Sequence, residues 1–586
     1  MLRELGRIRS RAQRRSYDAV VVGAGPNGLA AAIAIAQAGR SVLLVERASE
    51  VGGGVRSAEL TMPGFQHDIC SAVYPLGVAS PFLRTLPLSQ LGLEWIQPPV
   101  PLAHPLDDGS AALLERSVEA TAARLGKDGP AYQRLMGPLS RRWKQVLRDT
   151  LGPLRVPHHP FISGYFGLYA IRSIDGVVRS LFEGPHARAM LAGISAHAML
   201  PPDSIVSAAF ALMLGMCGHA VGWPIPRGGA QRVAEALAAL LRALGGEILV
   251  DAEVHTLDEL PAASAILCDV TPRQLLRIAD QRLSSRYRRK LEAYRYGPGV
   301  FKIDWALSGP IPWRAPECAQ AGTVHLIGTL DEIAAAERAV TRGDVPERPY
   351  VLLSQPSRFD DTRAPAGSHT AWGYCHVPHG SSADMRDRIE AQVERFAPGF
   401  RELVRARHLM TAQQLEVHNP NCVGGDISGG LADLRQLFTR PAGLLHPYDT
   451  SDPGLFLCSA STPPGGGVHG MGGYFAAQRA LRRIDQAMRE RARSRSVPAQ
   501  SAGGSASGSG VLRAGSWGQE PIAGTDPESG GRTTARVHGV ERWLARNRTW
   551  LVPLAGSVLA AALGAAWRER RPRPGWMRRI AWLARP

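Results

Sequence analysis

Residues 17–46 read YDAVVVGAGPNGLAAAIAIAQAGRSVLLVE, and this stretch decides the fold. The continuous apolar run AVVV predicts a strand that is buried on both faces, as in a parallel sheet. The turn GAGPNG follows it, and an alanine-rich segment then predicts a helix that Gly39 ends. Residues 41–45 predict a second strand, which leads to Glu46. The order of strand, glycine turn, helix and strand is that of a βαβ half-unit.

The glycine turn has the GxGxxG spacing of dinucleotide-binding sites. Gly23 permits the tight turn, Gly25 lets the backbone approach a pyrophosphate, and Gly28 lets the helix pack closely on the strand. The helix N-terminus offers N–H groups and a partial positive charge to the phosphates. Glu46, eighteen residues after Gly28, can accept hydrogen bonds from ribose hydroxyls. The alternative is a glycine-rich turn in an unrelated α/β domain, but the place between strand and helix favours a dinucleotide site.

A second glycine turn, GGGVRS at residues 52–57, follows Glu46 closely. We expect Gly53 and Arg56 to approach the same dinucleotide from its other side. A plain nicotinamide dehydrogenase does not need this second turn. The pattern therefore favours FAD over NAD.

Two later segments belong with these turns. The sequence PRGG at residues 226–229 leads into an amphipathic helix and a predicted strand over 247–254. A short apolar strand, the turn GGGVHGMGG at residues 465–473 and a helix over 474–488 close the folded body. The last turn also satisfies GxGxxG, yet no βαβ unit follows it. One dinucleotide is therefore predicted, without a separate NADPH domain.

Through these segments, residues 17–486 resemble the FAD-dependent phytoene desaturase and carotenoid isomerase group of the amine oxidase-like flavoproteins. Within that group they are most similar to the pyridine nucleotide-disulphide oxidoreductase domain-containing protein 2 type. The resemblance implies FAD as the cofactor and a backbone contact to the adenine at Val254. It also implies that Gly466, Gly467 and Met471 belong to a C-terminal flavin motif, whose helix N-terminus stabilises negative charge on the reduced flavin ring.

Two residues are candidates for catalysis. Lys302 lies in a predicted half-buried strand over 300–307, and it is one of only four lysines in the chain. In the amine oxidase branch that the chain resembles, a lysine in a similar strand context holds a water near flavin N5. The alternative is a strand lysine paired with Asp304. His469, in the third glycine turn, faces either the substrate or, as the alternative, the start of the following helix as its cap.

Four further side chains remain open. His67 and Asp68 follow the second glycine turn and either orient a substrate or are satisfied within a turn. His219 and Trp223 either line the pocket or belong to the core, and an aromatic residue beside proline is more often core.

Composition excludes several classes of protein. With 45% apolar and 20% charged residues, the 586-residue chain is neither wholly disordered nor a disulfide scaffold. Basic residues number 68 against 51 acidic, but residues 487–586 alone hold 17 arginines against 6 acidic residues. The excess charge thus lies mainly in a tail, and no nucleic-acid-binding module is recognisable. Seven cysteines without a CxxC pair do not support disulfide shuttling, and the 17 histidines show no metal-ligand spacing.

The predicted fold class is α/β, with an FAD-binding Rossmann-like domain built from discontinuous segments and an inserted α+β substrate domain. The predicted order is a flexible basic leader over 1–16, FAD-binding segments over 17–90, 216–290 and 451–490, a helical substrate-domain segment over 91–215, an α+β substrate-domain segment over 291–450, a flexible linker over 491–540 and a basic hydrophobic tail over 541–586. Within the tail, residues 550–567 are uncharged, begin and end with tryptophan and are flanked by arginines. This pattern predicts a membrane helix, with an interfacial helix or a disordered tail as alternatives.

The predicted function is that of an FAD-dependent oxidoreductase, a dehydrogenase, desaturase or oxidase that takes a hydride from a lipophilic small molecule. One alternative is a redox-neutral, flavin-dependent double-bond isomerase. Another is a non-catalytic flavin-binding scaffold at a membrane. We expect a cytoplasmic catalytic domain, membrane contact through residues 541–586, no nucleic-acid partner and an electron acceptor that the sequence does not identify.

Overall fold

The computed structural model describes residues 7–443 and 445–496. The strands, in chain order, are β1 Ser16–Val22, β2 Val42–Val45, β3 Ser57–Glu59, β4 Gln66–Asp68, β5 Trp95–Ile96, β6 Val100–Pro105, β7 Ala111–Leu114, β8 Ile225–Pro226, β9 Glu247–Leu249, β10 Ala262–Cys268, β11 Gly299–Leu307, β12 Ala321–Leu326, β13 Val351–Ser354, β14 His369–Val377, β15 Val404–Met410 and β16 Leu455–Leu457.

The α-helices are interspersed with these strands. In chain order they are α1 Arg7–Arg11, α2 Pro26–Gln37, α3 Pro75–Ala79, α4 Val118–Arg124, α5 Gly129–Arg141, α6 Trp143–Thr150, α7 Pro160–Ala170, α8 Ile174–Leu181, α9 Pro185–Ser195, α10 Ser207–Ala220, α11 Gln231–Ala243, α12 Pro272–Ile278, α13 Ser285–Glu292, α14 Leu330–Arg342, α15 Arg386–Phe396, α16 Phe400–Leu403, α17 Ala412–His418, α18 Leu434–Leu437 and α19 Met471–Ser496.

A five-stranded parallel sheet in the order β16-β10-β1-β2-β9 forms the first layer. β1 lies at its centre, and Ala19, Val20 and Val21 are wholly buried, which explains the uninterrupted apolar run. Its strands come from three separated parts of the chain, around residues 16–45, 247–268 and 455–457. The α/β class and the assembly from discontinuous segments are therefore confirmed.

The inserted domain contains a mixed seven-stranded sheet in the order β15-β11-β14-β13-β12-β6-β7. Neighbours in it are antiparallel except for β12 and β6. Because side chains alternate along a strand, Phe301, Ile303 and Trp305 of β11 enter an apolar cluster on one face. Lys302 and Asp304 of the same strand therefore project from the opposite face, which also carries Trp372 of β14.

The structure differs from the sequence expectations at several boundaries. The segment over 91–215, expected to be helical, also supplies β6 and β7. The strand predicted over 247–254 ends at Leu249, because Asp251 takes a positive φ of 50° that interrupts strand geometry.

Both ends of the described chain are more ordered than expected. The leader was expected to be flexible, but α1 buries Ile8 and Arg9 donates a hydrogen bond to the carbonyl of Leu260. The helix predicted over 474–488 begins at Met471 and continues to Ser496, because no glycine or proline interrupts its last five turns of good helix formers. The first six residues of the predicted linker over 491–540 are therefore helical.

The rest of that linker, the tail over 541–586 and the candidate membrane helix over 550–567 lie outside the described residues. Within residues 7–443 and 445–496, none of the helices combines the length and the apolar character that a bilayer span requires.

Candidate functional site

The first glycine turn connects β1 to α2 at the carboxyl edge of the parallel sheet. Gly23 has a positive φ of 97°, and Gly25 is the N-terminal cap of α2. A Cβ on Gly28 would lie 1.9 Å from the carbonyl oxygen of Gly23, so only glycine allows the helix to start this close to the strand. The structure thus places Gly23, Gly25 and Gly28 in one tight turn between β1 and the N-terminus of α2, and their binding role stays a prediction.

Asp269 is a residue of this turn that the sequence analysis missed. It follows β10, and its Oδ2 accepts the N–H of Gly28 at 2.8 Å. A Cβ on Gly25 would lie 2.7 Å from the same oxygen, so the carboxyl group lies against the glycine turn. Burial raises the pKa of Asp269 to about 7, the hydrogen bond from Gly28 opposes this, and the negative charge of Glu46 adds to it.

Glu46 lies at the end of β2, on the other side of the same turn. Its carboxylate accepts the N–H of Ala24 at 2.8 Å and the N–H of Ala48 at 2.9 Å. The chain after β9 runs alongside, since Ala252 donates its N–H to the carbonyl of Glu46. Val254, two residues further, is half-buried against the apolar cluster beneath this edge of the sheet. Glu46 and Val254 therefore lie on the same side of the glycine turn.

The second glycine turn meets the first at one point. Gly53 has a φ of 55°, and a Cβ on it would lie 3.0 Å from the Cα of Gly25. Arg56 donates from Nε to the carbonyl of Gly53 at 3.1 Å, and its Nη2 lies 3.4 Å from Nε2 of His418. The two turns that the sequence assigns to one dinucleotide are thus in direct contact.

The third glycine turn is packed against α2. A Cβ on Gly473 would lie 1.8 Å from the carbonyl oxygen of Asn27, so α19 begins directly on the first turn of α2. Gly467 has a φ of 120°, and a Cβ on Gly466 would lie 2.8 Å from the carbonyl oxygen of Ser428. Met471, buried at the start of α19, joins the same core as α2. All three glycine turns therefore surround the N-terminus of α2.

His469 takes the capping arrangement that the sequence left open. Its Nδ1 accepts the N–H of Met471 at 3.1 Å, and its own carbonyl accepts the hydroxyl of Ser80. Burial lowers the pKa of His469 to about 4, so the imidazole is neutral. Its Nε2 is buried and has no hydrogen-bond partner within the described part of the chain. The imidazole can therefore form one further hydrogen bond, and its catalytic role stays a prediction.

Lys302 lies in a buried polar cluster on the face of the seven-stranded sheet opposite Phe301, Ile303 and Trp305. We call this the inner face of the sheet. Its ammonium group forms an ion pair with Asp304, which His408 and His67 approach at 3.3 Å and 3.6 Å. Burial alone would raise the pKa of Asp304, but the charge of Lys302 and the hydrogen bond from His408 outweigh it and hold that pKa below its usual value. Burial lowers the pKa of His67 to about 4.

Cys70 connects this cluster to the glycine turns. Its Sγ would lie 3.8 Å from a Cβ on Gly54, and the charges of Lys302 and Arg56 both act on the thiol. Burial nevertheless dominates and raises the pKa of Cys70. Lys302, Arg56 and the second glycine turn are thus neighbours in space, although the sequence separates them by about 250 residues.

The remaining candidates have structural partners. Asp68 accepts hydrogen bonds from the hydroxyl of Ser57 and the N–H of Ala230, and it pairs with the buried guanidinium of Arg363 at 3.0 Å. It therefore joins the second glycine segment to the PRGG segment and to the inserted domain.

His219 and Trp223 likewise have core partners. Nε2 of His219 lies 2.8 Å from the hydroxyl of Tyr132, and Nε1 of Trp223 donates to the carbonyl of Leu214. Among residues 7–443 and 445–496, no three or more His, Cys, Asp or Glu side chains are arranged to bind a metal ion.

Comparison with known proteins agrees with this geometry. The profile of the NAD(P)-binding Rossmann-like domain matches residues 21–86. The pyridine nucleotide-disulfide oxidoreductase domain-containing protein 2 of Rattus norvegicus is 25% identical over 548 residues, which cover 79% of this chain and 92% of that protein. The phytoene desaturase (neurosporene-forming) of Rhodobacter capsulatus is 24% identical over 504 residues, covering 77% and 91%.

The chain is homologous to these proteins and is a flavin-type oxidoreductase. One subunit of the limonene dehydrogenase of Castellaniella defragrans is a further relative, 22% identical over 525 residues that cover 79% of this chain and 94% of that protein. Among solved structures, putrescine oxidase bound to putrescine covers 81% of the chain and 99% of its own, with a TM-score of 0.51 and 17% identity. That likeness shows that this flavin-type oxidoreductase has the fold of the amine oxidases.

Proposed function

We propose that this flavin-type oxidoreductase binds FAD across the three glycine turns and takes a hydride from a lipophilic small molecule. The observation that carries the substrate class is a row of buried aromatic rings that leads away from Lys302. The identity of the cofactor is supported by the fit of the turns. These two observations are independent of each other.

The residues around α2 suit a dinucleotide. At Gly25 and Gly28 a Cβ would collide with Asp269 or with the turn itself, so both positions require glycine, as they do in turns that bind a pyrophosphate. We assign the pyrophosphate to the first turn, a ribose to Glu46, and the second half of the dinucleotide to Gly53 and Arg56. When bound, FAD supplies the hydride acceptor that the protein side chains lack.

A row of rings lines the inner face of the seven-stranded sheet. The ammonium group of Lys302 lies 5.6 Å from the centre of the Trp372 ring. Tyr374 follows at 5.9 Å, His376 at 5.8 Å and Tyr350 at 5.5 Å, each measured between ring centres. The row is therefore continuous from the polar cluster along β14 to Tyr350.

This row carries no free charge. Burial raises the pKa of Tyr350 and Tyr374, so both phenols stay protonated. The carboxylate at each end has a partner, since Glu337 lies 2.7 Å from Nδ1 of His376 and Asp304 pairs with Lys302. A cationic amine would need an unpaired carboxylate here, whereas an apolar molecule needs only dry, neutral walls. The names of the relatives, limonene dehydrogenase and phytoene desaturase, agree with a hydrocarbon-like substrate.

We assign Lys302 the task of holding a water beside the reacting centre. Its side chain is buried, and its ammonium group is held in place by Asp304, which His67 and His408 approach in turn. A proton can pass between Lys302 and Asp304 without leaving the protein, because the two groups are hydrogen-bonded. Loss of a hydride leaves the substrate short of an electron pair, and a proton must then leave the neighbouring carbon for the double bond to form. The water held by Lys302 would accept this proton, so no stronger base is required.

The test begins with the visible absorbance spectrum of the purified full chain. A two-banded flavin spectrum, with FAD released on denaturation, supports the cofactor, and Gly28→Ala serves as the variant expected to lose it. Under anaerobic conditions, unsaturated hydrocarbons should bleach the bound flavin, whereas polyamines should not.

Two results would contradict the proposal. A folded protein that stays colourless after addition of FAD would contradict the assignment of FAD as the cofactor. A flavin that no hydrocarbon reduces, but that must be pre-reduced once for substrate to rearrange without consumption of an artificial acceptor such as dichlorophenolindophenol, indicates the isomerase instead.

A further inference from the structure

Helix α7 is unusual among the surface helices because it is apolar on all sides. Its sequence is PFISGYFGLYA, without a charged residue. Ile162, Phe166 and Ala170 are buried in the apolar cluster that also contains side chains of α5, α6 and α10. A helix of this composition is normally covered completely, whereas a surface helix normally exposes a polar face.

The outer stripe of α7 is nevertheless exposed. Phe161 is 93% exposed, Leu168 is 62% exposed, and Ile171, directly after the helix, is 49% exposed. These positions lie seven and three residues apart, so they share one face of the helix. The loop ahead of α7 adds Val156 at 87% and Leu154 at 57%. We call these five side chains the α7 surface.

Exposed apolar side chains are concentrated at this place. Of the twelve large apolar side chains that are exposed within the described residues, five form the α7 surface. A sixth, Ile205, is adjacent, since the N–H of Val206 donates to the carbonyl of Ile171. Single exposed apolar side chains are ordinary, but a contiguous group of them marks an interaction site.

The stretch of chain that carries the α7 surface is rich in cations. Residues 134–172 contain seven Lys or Arg side chains and one acidic residue, Asp149. That carboxylate is engaged by the N–H groups of His158 and His159 and by the hydroxyl of Ser163. The cations on the surface are Arg134, Arg141, Arg142, Lys144, Arg148 and Arg172. No ion pair involves these six within residues 7–443 and 445–496.

A groove lies between one of these cations, Arg142, and the apolar stripe. It has a volume of 490 Å³, and its walls include Arg142, His158 and Phe161. Trp143, half-buried at the start of the neighbouring helix α6, has the ammonium group of Lys144 over its ring at 5.5 Å and the guanidinium of Arg84 at 5.6 Å. An aromatic ring beside a basic side chain is the arrangement found where proteins enter the headgroup region of a bilayer.

We propose that the α7 surface docks on an anionic lipid bilayer, with Phe161 and Val156 among the acyl chains and the cations of this stretch at the headgroups. A second copy of the chain is a poorer occupant. Two α7 surfaces brought together by a two-fold axis would oppose like charges, whereas an anionic bilayer neutralises them. This docking does not depend on the bound cofactor.

Vesicle flotation of the full chain tests the proposal. The probes are vesicles of phosphatidylcholine alone and of phosphatidylcholine with phosphatidylglycerol at a ratio of about 7:3. We expect binding to the anionic vesicles that weakens in high salt. The variant Val156→Ser/Phe161→Ser should bind them about tenfold more weakly or worse. A matched control, Val417→Ser/Leu445→Ser, removes two apolar side chains of similar exposure elsewhere, 78% and 87%, and should bind like the wild type.

A second variant tests the charges. Arg141→Gln/Arg142→Gln should weaken binding to the anionic vesicles and leave the weak binding to phosphatidylcholine unchanged. Circular dichroism should be unaltered in all variants, because every changed side chain is exposed.

Three outcomes would overturn the proposal. The wild type could fail to bind anionic vesicles. Val156→Ser/Phe161→Ser could bind like the wild type, which would place the membrane contact in residues 541–586. The same variant could convert a dimer to a monomer in sedimentation velocity without a change in vesicle binding, which would make the surface a contact between two copies.

Discussion

Replacing Asp269 by asparagine should separate what this carboxyl group does for the turn from what its charge does. Asparagine keeps an oxygen that can accept the N–H of Gly28, but it cannot ionise. In the wild type the pKa of Asp269 is raised to about 7, against about 3.9 for an exposed aspartate. The difference corresponds to about 4 kcal/mol of destabilisation once the group is fully ionised in the folded state.

The sign of the pH dependence follows from this raised pKa. The folded state holds the proton more tightly than the unfolded state, so the stability linked to Asp269 is fully present below about pH 4. It is lost as the pH rises to about 7. In urea unfolding of the cofactor-free protein, Asp269→Asn should therefore gain stability over the wild type, by about 1.5 kcal/mol at pH 5 and about 4 kcal/mol at pH 8.

The affinity for FAD should depend on the ionisation of the same carboxyl group. A pyrophosphate at the first glycine turn and an ionised Asp269 would be like charges on the same N-terminus of α2, so binding selects the protonated carboxyl. We expect the Kd for FAD, measured by flavin fluorescence, to rise about tenfold per pH unit above pH 7 in the wild type, and to stay flat in Asp269→Asn. Asp18→Asn, at the opposite end of β1, should keep the wild-type profile. Equal stability gaps at pH 5 and pH 8, or a Kd slope that Asp269→Asn retains, would refute the reasoning.

Two further predictions concern the glycine turns and the polar cluster. Gly28→Ala should abolish the flavin spectrum, because its Cβ would lie 1.9 Å from a backbone oxygen. The control Gly164→Ala, in α7, meets nothing within 4 Å and should keep the flavin. Lys302→Met should destabilise the protein by about 3–5 kcal/mol in thermal and urea unfolding, because Asp304 is left charged and buried. Lys302→Met/Asp304→Asn should recover most of that loss, and equal destabilisation of the single and double variants would contradict the pairing.

The parts of the fold that the sequence predicts well are those fixed by short-range sterics. Gly23 and Gly28 are required by the turn itself, so their spacing is visible in a few residues. The buried run of β1 is equally local. The predicted end of the strand after Glu247 was wrong because a single residue, Asp251, with positive φ interrupts a pattern that continues in sequence.

Residues whose role depends on distant strands could not be predicted in the same way. Asp269 reaches Gly28 across 241 positions, and only the pairing of β10 with β1 brings them together. A signal was present, because an acidic residue follows each of the two strands that flank β1, but its interpretation requires the strand order. For Lys302 the sequence left two alternatives, a lysine that holds a water near the flavin and a strand lysine paired with Asp304. The ion pair is present, and it is compatible with the first alternative because it can hold the lysine in place for a catalytic role.

The two acidic residues beside β1, Glu46 and Asp269, differ in how strongly the protein holds their ionised form. Glu46 is tied to two backbone N–H groups, which fixes the turn before any ligand arrives. Asp269 has one such bond and is buried next to that negative charge, so its protonated form is favoured. We infer that this asymmetry lets one turn bind two different parts of a nucleotide. The ribose hydroxyls would meet the carboxylate of Glu46, and the phosphates would meet the neutral carboxyl group of Asp269. A glycine turn with two ionised acids would repel the phosphates that its N–H groups are arranged to bind.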